Sequence, residues 1–361
     1  MVEWKKLSDV AVIKNGKDYK KLSNGNIPVF GTGGIMTYVD QFASDKPSVL
    51  LPRKGSIENI FYVDEPFWTV DTLYWTDIDT SKIDPKFLFV SLQRYNLKEF
   101  AYGGARPSLS QQILYNLDIP LPSLSEQKRI VGILDTFTAS IDNLKEQIAQ
   151  RRKQYEHYRD QLLDLEGKEG VEIKTLKDVF DTRNGYTPST SNSQFWDDGI
   201  IPWFKMEDIR DNGRILNDSN LHITTSAIKG KGLFKANSII LATSATIGEH
   251  ALITVEHLSN QRFTNFYPKE CYLNIINMKF VYYYMYRIDE WCKQHINQGG
   301  FASVDMGGLY NLEIPLPSLQ EQQRIVSILD TFEASIQNLE AQLSKREKQY
   351  EYYRNKLLTF E

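Results

Sequence analysis

The side chains of this chain best suited to bond-making chemistry are five histidines and two cysteines, joined by one glycine-rich run. A metal site needs several such ligands at set spacing. His157, His222, His250, His257 and His295 form no such cluster, and His157 aligns with Tyr352 in a repeated segment described below. Phe30-Gly31-Thr32-Gly33-Gly34 offers backbone amides, as a phosphate loop would. Its spacing is not G-x-G-x-x-G, and it lies between two β-prone runs rather than ahead of a helix, so a glycine-rich hairpin is expected. There is no G-x-x-x-x-G-K-[ST] and no Asn-Pro-Pro-aromatic of the kind amino-methyltransferases use. The carboxylates fall in no recognisable nuclease pattern. A self-contained nucleotidase, nuclease or methyltransferase is therefore disfavoured.

The bulk properties bound what remains. In 361 residues, 41% are hydrophobic and 24% charged, close to a soluble globular average, and the length suggests two domains with a connector. Cys271 and Cys292 cannot staple a fold of this size. The start, MVEWKKLSDV, has no apolar signal core, and the richest apolar run, FVYYYMY, is flanked by Lys279 and Arg287. A soluble cytoplasmic protein with no membrane partner is expected. The net charge of −4 argues against coating nucleic acid through bulk positive charge, but it permits a local DNA-reading surface.

An internal repeat organises the chain. Residues 117–166 and 312–361 are identical at 33 of 50 positions, at a constant offset of 195. The stretches before them open alike: Glu3, Lys5, Leu7, Asp9, Val10 and Asn15-Gly16 match Glu172, Lys174, Leu176, Asp178, Val179 and Asn184-Gly185 at an offset of 169. Beyond those openings they diverge. The expected domains are a variable body at 1–117, a helical arm at 118–170, a second body at 171–311 and a second arm at 312–361.

Each arm opens with an extended IPLP, then Ser123 with Glu126, or Ser318 with Glu321, in the spacing of a helix capping box. Alternating steps of three and four then select Ile130, Leu134, Phe137, Ile141 and Leu144 in the first arm, and Ile325, Leu329, Phe332, Ile336 and Leu339 in the second. This heptad seam runs on through Arg151 and Arg346 over about 43 residues, roughly 64 Å of helix. A stripe so narrow and long suits a partner helix better than the flank of a body. Helix one ends where the second body begins, so the arms are expected to pair antiparallel, giving a pseudo-twofold arrangement. An Arg in the seam costs stability unless it reaches a carboxylate or a partner protein.

The bodies read as mixed α and β. In the first, IPVF, MTYV, SVLL, NIFYV and FWTV are β-prone, and Asp84-Pro85 starts a helix expected to run to Leu97. In the second, IIPWF, SIILAT and ALITV are β-prone, with a helix over 277–296. Gly103-Gly104 and Gly299-Gly300, which close the bodies, suit hinges with positive φ. Trp203 and Tyr282 to Tyr284 suit a core.

The run I-P-L-P-S-L-x-E-Q-x-x-I-V-x-I-L-D ahead of a long heptad helix, present twice, closely resembles the arms of type I restriction-modification specificity subunits. The bodies resemble that family's target-recognition domains. The second carries more of the pattern: Asn184-Gly185-Tyr186-Thr187-Pro188-Ser189, Ile201-Pro202-Trp203, Glu207-Asp208-Ile209, Ala245-Thr246-Ile247-Gly248 and Asn260-Gln261. The first lacks the Thr-Ile-Gly and Asn-Gln elements, and Arg53-Lys54-Gly55-Ser56 takes a corresponding place. The resemblance implies an α+β protein in which two target-recognition domains are separated by two antiparallel coiled-coil helices. It implies a non-catalytic subunit: each body reads half of a bipartite site on double-stranded DNA, while the helices fix the gap and dock two methyltransferase subunits. Motor-nuclease subunits complete the enzyme. No cofactor is expected in this chain, with S-adenosylmethionine, ATP and Mg²⁺ on the partners. The arms carry a net −2 each, which suits protein docking rather than DNA contact.

Half-site reading needs side chains that bond base edges from loops. Arg53, Lys54, Arg106 and Ser108 are the candidates in the first body, each in a Gly-punctuated loop, and Thr187, Lys205, Thr246, Gln261 and Arg262 in the second. The alternative from another class is a coiled-coil structural adaptor with no DNA role.

Overall fold

In the computed structural model, which describes residues 2–104, 107–297 and 302–360, each IPLP run is a β-strand paired with the opening of its own half. β1 (Glu3–Lys6) lies antiparallel to β9 (Asp118–Leu121), with Trp4 opposite Pro120. β10 (Glu172–Thr175) pairs with β21 (Glu313–Leu316) in the same register, Ile173 opposite Pro315. Two-stranded ribbons tolerate these prolines because one edge needs no ladder donors. Single turns follow, α1 (Leu7–Val10) and α5 (Leu176–Val179), which bury Leu7, Val10, Leu176 and Val179. The Leu7 and Leu176 amides donate to the Leu117 and Leu312 carbonyls at 2.9 Å. The sequence stretches that match between the halves thus form one clasp in each.

The chain divides into two units, Met1–Ile148 with Leu339–Glu361, and Ala149–Asn338. In the first, β2 (Ala11–Asn15), β8 (Leu73–Ile78), β5 (Ser48–Pro52) and β6 (Phe61–Val63) form an antiparallel sheet in the order β2-β8-β5-β6. A second sheet orders β4 (Gly34–Val39), β3 (Asn24–Gly31) and β7 (Trp68–Thr69), with β3 and β7 parallel. The Phe30–Gly34 run is the β3–β4 hairpin, and Gly34 has φ of 109°.

The second unit repeats this topology on a different sequence. β11 (Phe180–Asn184), β18 (Phe263–Pro268), β15 (Ser238–Ala242) and β16 (His250–Ile253) follow the same order, extended by β13 (Ile215–Leu216). The smaller sheet orders β14 (His222–Ile223), β12 (Ile201–Phe204) and β17 (Leu258–Ser259), again with the last pair parallel. The central strand β18 has a weak sequence signal because it buries Asn265, whose amide donates to Ser238 Oγ at 2.8 Å.

One helix in each unit faces the arm. α2 (Pro85–Leu92) starts at Asp84, whose carboxylate accepts the Lys86 and Phe87 amides at 3.0 Å. It stops at Leu92, short of the expected Leu97: the Arg94 and Tyr95 amides bond the Ser91 and Leu92 carbonyls three residues back rather than four, and Leu97–Phe100 forms a separate 3₁₀ turn. α7 (Met278–Gln294) is capped by Asn277.

The arms are 39-residue helices, α4 (Leu124–Leu162) and α9 (Leu319–Leu357). Ser123 and Ser318 accept the Glu126 and Glu321 amides, which is half of a capping box. The glutamates instead make bidentate pairs with Arg129 and Arg324, which hold both carboxyls below their ordinary pKa. Fully buried glutamines lock arm to body. Gln127 Oε1 accepts the Asp84 amide at 2.8 Å, while its Nε2 donates to the Pro122 and Lys82 carbonyls. Gln322 does the same with Asn277, Pro317 and Ile275. Lys86–Asp135 and Lys279–Asp330, both at 2.8 Å, add matching ion pairs.

The heptad seam changes partner along its length. Ile130 and Leu134 join the first unit's core with Leu7, Phe87, Leu88 and Leu358, and Ile325 and Leu329 join that of the second with Phe280 and Tyr283. The first turns of each arm therefore do pack on a body. Further along, the helices pair. In the first unit Phe137 stacks on Tyr353 at 5.2 Å and Lys145 faces Glu347, so α4 ascends as α9 descends. In the second, Tyr158 stacks on Phe332 at 5.4 Å and Tyr155 donates to Glu333. Ile141 and Leu144 are buried, whereas Ile336 and Leu339 are half-buried. The seam arginines reach rings: Arg346 lies over Phe137 at 5.8 Å and Arg151 over Phe332 at 5.9 Å.

Phe137→Ala and Phe332→Ala are each expected to cost about 2 kcal/mol, below the fully buried range because the rings are only half-buried. Urea unfolding of the full chain followed by far-UV circular dichroism measures this.

Candidate nucleic-acid interface

The shared Asn-Gly of the two openings ends the strands β2 and β11, where the backbone makes its tightest approach. The Gly16 and Gly185 amides donate to the Leu73 and Phe263 carbonyls at 3.1 and 3.0 Å. A Cβ on Gly16 would lie 2.0 Å from the Val70 carbonyl oxygen, and one on Gly185 2.2 Å from that of Ser259. The following amides, of Lys17 and Tyr186, bond the Thr69 and Ser259 carbonyls at 2.8 Å. The motif is therefore a joint that brings the loop after β2 or β11 against the turn before β8 or β18.

In the second unit this joint gathers the candidate readers. Thr187 Oγ1 donates to Gln261 Oε1 at 2.5 Å, and both residues are exposed. The Asn260 amide bonds the Phe204 carbonyl at 3.0 Å, which places half-buried Lys205 beside the same turn, at the start of α6 (Met206–Asn212). The Thr243 amide bonds the Arg262 carbonyl at 2.9 Å and so ties in the loop that carries Thr246. Arg262 is exposed. All five candidates stand on loops tied to this turn.

The first unit is built the same way from other residues. Val70 bonds Phe30 as Asn260 bonds Phe204, and Arg53 bonds Thr72 as Thr243 bonds Arg262. Lys54 bridges Ser108 as Ser244 bridges Ser303. Gly55 has φ of 90° where Ala245 has 63°. Arg53-Lys54-Gly55-Ser56 thus occupies the place of Thr243 to Thr246. Arg53 is half-buried, donates to the Asp71 carbonyl at 3.2 Å and lies over Tyr74, while Lys54 is exposed. Ser108 exchanges backbone bonds with Tyr102. Gly103 has the expected positive φ, 88°, whereas Gly104 does not. Arg106 and Gly299-Gly300 lie outside the described residues.

The correspondence exposes two residues that sequence reasoning missed. Asp18 and Asp71 stand where the second unit has Thr187 and Gln261. They line a cleft of about 840 Å³ with Lys20, Thr32, Met36 and Thr72. Asp18 follows the shared Asn-Gly at the same offset of 169 as Thr187, whereas only the backbone register pairs Asp71 with Gln261.

Three of the five histidines have packing or hydrogen-bond partners that account for them. His257 is packed between Phe204 and Phe234, and burial pushes its pKa down to about 4. His250 bonds Asp289 at 2.7 Å, and His222 bonds Asp218 at the same distance. Trp203, Tyr282 and Tyr283 are buried, as expected of core residues, whereas Tyr284 is half-buried and its hydroxyl donates to the Glu313 carbonyl at 3.3 Å. Among the described residues no group of His, Cys, Asp and Glu could hold a metal, and no helix is long and apolar enough to cross a membrane.

The family model for the type I restriction modification DNA specificity domain matches residues 1–151 and again 168–346. The chain belongs to this family. Within this specificity family, it is 49% identical over 216 residues to the type I restriction enzyme EcoprrI specificity subunit of Escherichia coli. That match takes in 56% of this chain and 53% of the relative, so the chain aligns with about half of that protein's length. A putative type I restriction enzyme specificity subunit of Haemophilus influenzae is 30% identical over 384 residues, 99% of this chain and 96% of that one. The crystal structure of a type I restriction-modification system S subunit from M. genitalium shares the fold, with a TM-score of 0.60 at 17% identity over 100% of this chain and 97% of that one.

Gly185→Ala should cost about 1–3 kcal/mol as overpacking. Gly104→Ala, where an added Cβ meets nothing within 4 Å, should change stability by less than about 0.5 kcal/mol. Thermal melts of the two full-length variants compare them.

Proposed function

We propose that this chain is the DNA-recognition subunit of a type I restriction-modification complex, in which each unit reads one half of a bipartite, asymmetric site on double-stranded DNA. The observation that carries the reading is a pair of reading ends with one backbone plan and different side chains. A Gln beside a Thr can bond an adenine edge and an Arg a guanine edge, whereas an Asp accepts from the cytosine amino group. Gln261 with Arg262 and Asp71 with Thr72 therefore suit unlike sequences. A structural adaptor has no use for conserving the backbone joint while varying what it displays.

The bond-making chemistry belongs to partners in this reading. Two methyltransferase subunits bring S-adenosylmethionine, and motor-nuclease subunits bring ATP and Mg²⁺. The acidic arms, with net −2 each, are docks for protein rather than ligands for phosphate. The same helices hold the two reading ends at a set gap. The chain works in the cytoplasm, beside the DNA it surveys.

Exchanging residues 171–311 for the equivalent body of another family member, in cells that supply the methyltransferase subunits, tests the reading. Mapping modified adenines should show one half-site replaced and the other kept. A change in both half-sites, or in neither, contradicts it.

A further inference from the structure

The loop between β14 and β15 carries Lys229, Lys231 and Lys235 and no acidic residue over positions 225–237. All three lysines are exposed. Gly230 and Gly232, at φ of 52° and 74°, turn the chain between them. The loop is pinned to the strand that leads into the reading end. Arg183 on β11 donates to the Gly232 carbonyl at 2.8 Å and lies over Phe234 at 4.2 Å. The Lys229 amide donates to the Tyr186 hydroxyl at 2.9 Å, one residue before Thr187, and its ammonium lies over the Tyr186 ring. Arg183, Lys231 and Lys235 border a shallow pocket of about 350 Å³, whose one carboxylate is Asp181. Among the described residues none of these three cations makes an ion pair.

The first unit differs at the same place. Its β4–β5 loop is registered by the Ser44–Phe67 bridge, as the β14–β15 loop is by Phe234–His257. It carries Asp40, Phe42, Asp45 and Lys46. Ammonium groups on flexible stems, paired with no carboxylate among the described residues and beside a candidate reading end, suit a ligand whose negative charge recurs and whose orientation varies.

We propose that Lys229, Lys231, Lys235 and Arg183 form a clamp for the DNA sugar-phosphate backbone in the second unit, and that the first unit has no counterpart there. This rests on the DNA-recognition reading. The clamp adds affinity without sequence preference and places most of the salt dependence of this pair of loops on one half-site.

The test is the salt dependence of binding by the full chain assembled with its methyltransferase subunits, on a duplex holding the mapped site and on a scrambled one. Replacing both Lys231→Gln and Lys235→Gln should reduce the slope of log affinity against log salt by about two on both duplexes. Between 50 and 200 mM salt the wild type should then lose about tenfold more affinity than the variant. Lys231→Arg with Lys235→Arg should keep the wild-type slope, Lys46→Gln should leave it unchanged, and the modified motif should stay the same in every variant. An unchanged slope in the double glutamine variant, or a loss confined to the specific duplex, overturns the clamp. A wild-type complex that binds every duplex alike contradicts the recognition reading instead, and its slope still decides whether the loop contacts phosphate.

Discussion

Phe137 lies between Arg346 and Tyr353 of the opposing helix, and Phe332 meets Arg151 and Tyr158 in the same way. These aromatic contacts pair α4 with α9 antiparallel inside each unit. Everything else depends on that pairing, because each arm also carries a body. Gln127 and Gln322 bind the first turn of an arm to the capping residue of the body helix, with no exposed atom and three hydrogen bonds apiece. A buried amide left without those partners costs about 1–3 kcal/mol, so the joint has a single favourable geometry. Helix, joint and clasp together give each body a fixed seat, on which the display loops are free to vary.

The division between constant and variable sequence follows from this mechanics. The segments that match between the halves touch one another: β1 with β9, β10 with β21, arm with arm. A change in one of them disturbs a partner that is also shared. The bodies keep only what their backbone requires, such as a glycine where an added Cβ would lie 2.0 or 2.2 Å from a carbonyl oxygen. Positions such as 71 and 261 point their differences outward and leave the topology alone.

The repeat, the long helices, their direction and the strands within the eight β-prone runs were legible in the sequence, because heptad spacing and β-prone runs between Gly and Pro are local signals. The clasp was not, since IPLP shows that it is extended but not what it pairs with. The strand FTNFYP was hidden by its buried Asn265. The seam pattern could not show that Ile130, Leu134, Ile325 and Leu329 are shared with the bodies, because core and coiled coil both ask for aliphatic residues at those steps. The candidate loops of Arg53, Thr187 and Gln261 were singled out by their glycines and polar side chains, and the structure ties the last two together. Asp18 and Asp71 were not singled out: Asp18 sits at the shared offset from Thr187 but differs from it in type, and only the hydrogen-bond register pairs Asp71 with Gln261.

In the proposed function the paired helices set the distance between two reading ends. Adding one heptad after Leu144 and one after Leu339 keeps the seam in phase and lengthens the pair by about 10 Å. At about 3.4 Å per base pair, the gap in the modified DNA motif should then grow by up to about three base pairs, less if the accompanying rotation of roughly 100° favours a compromise. Mapping modified adenines in cells that carry the doubly extended chain measures this gap. Both half-site sequences should persist while the gap widens. An unchanged gap at full modification would contradict the account.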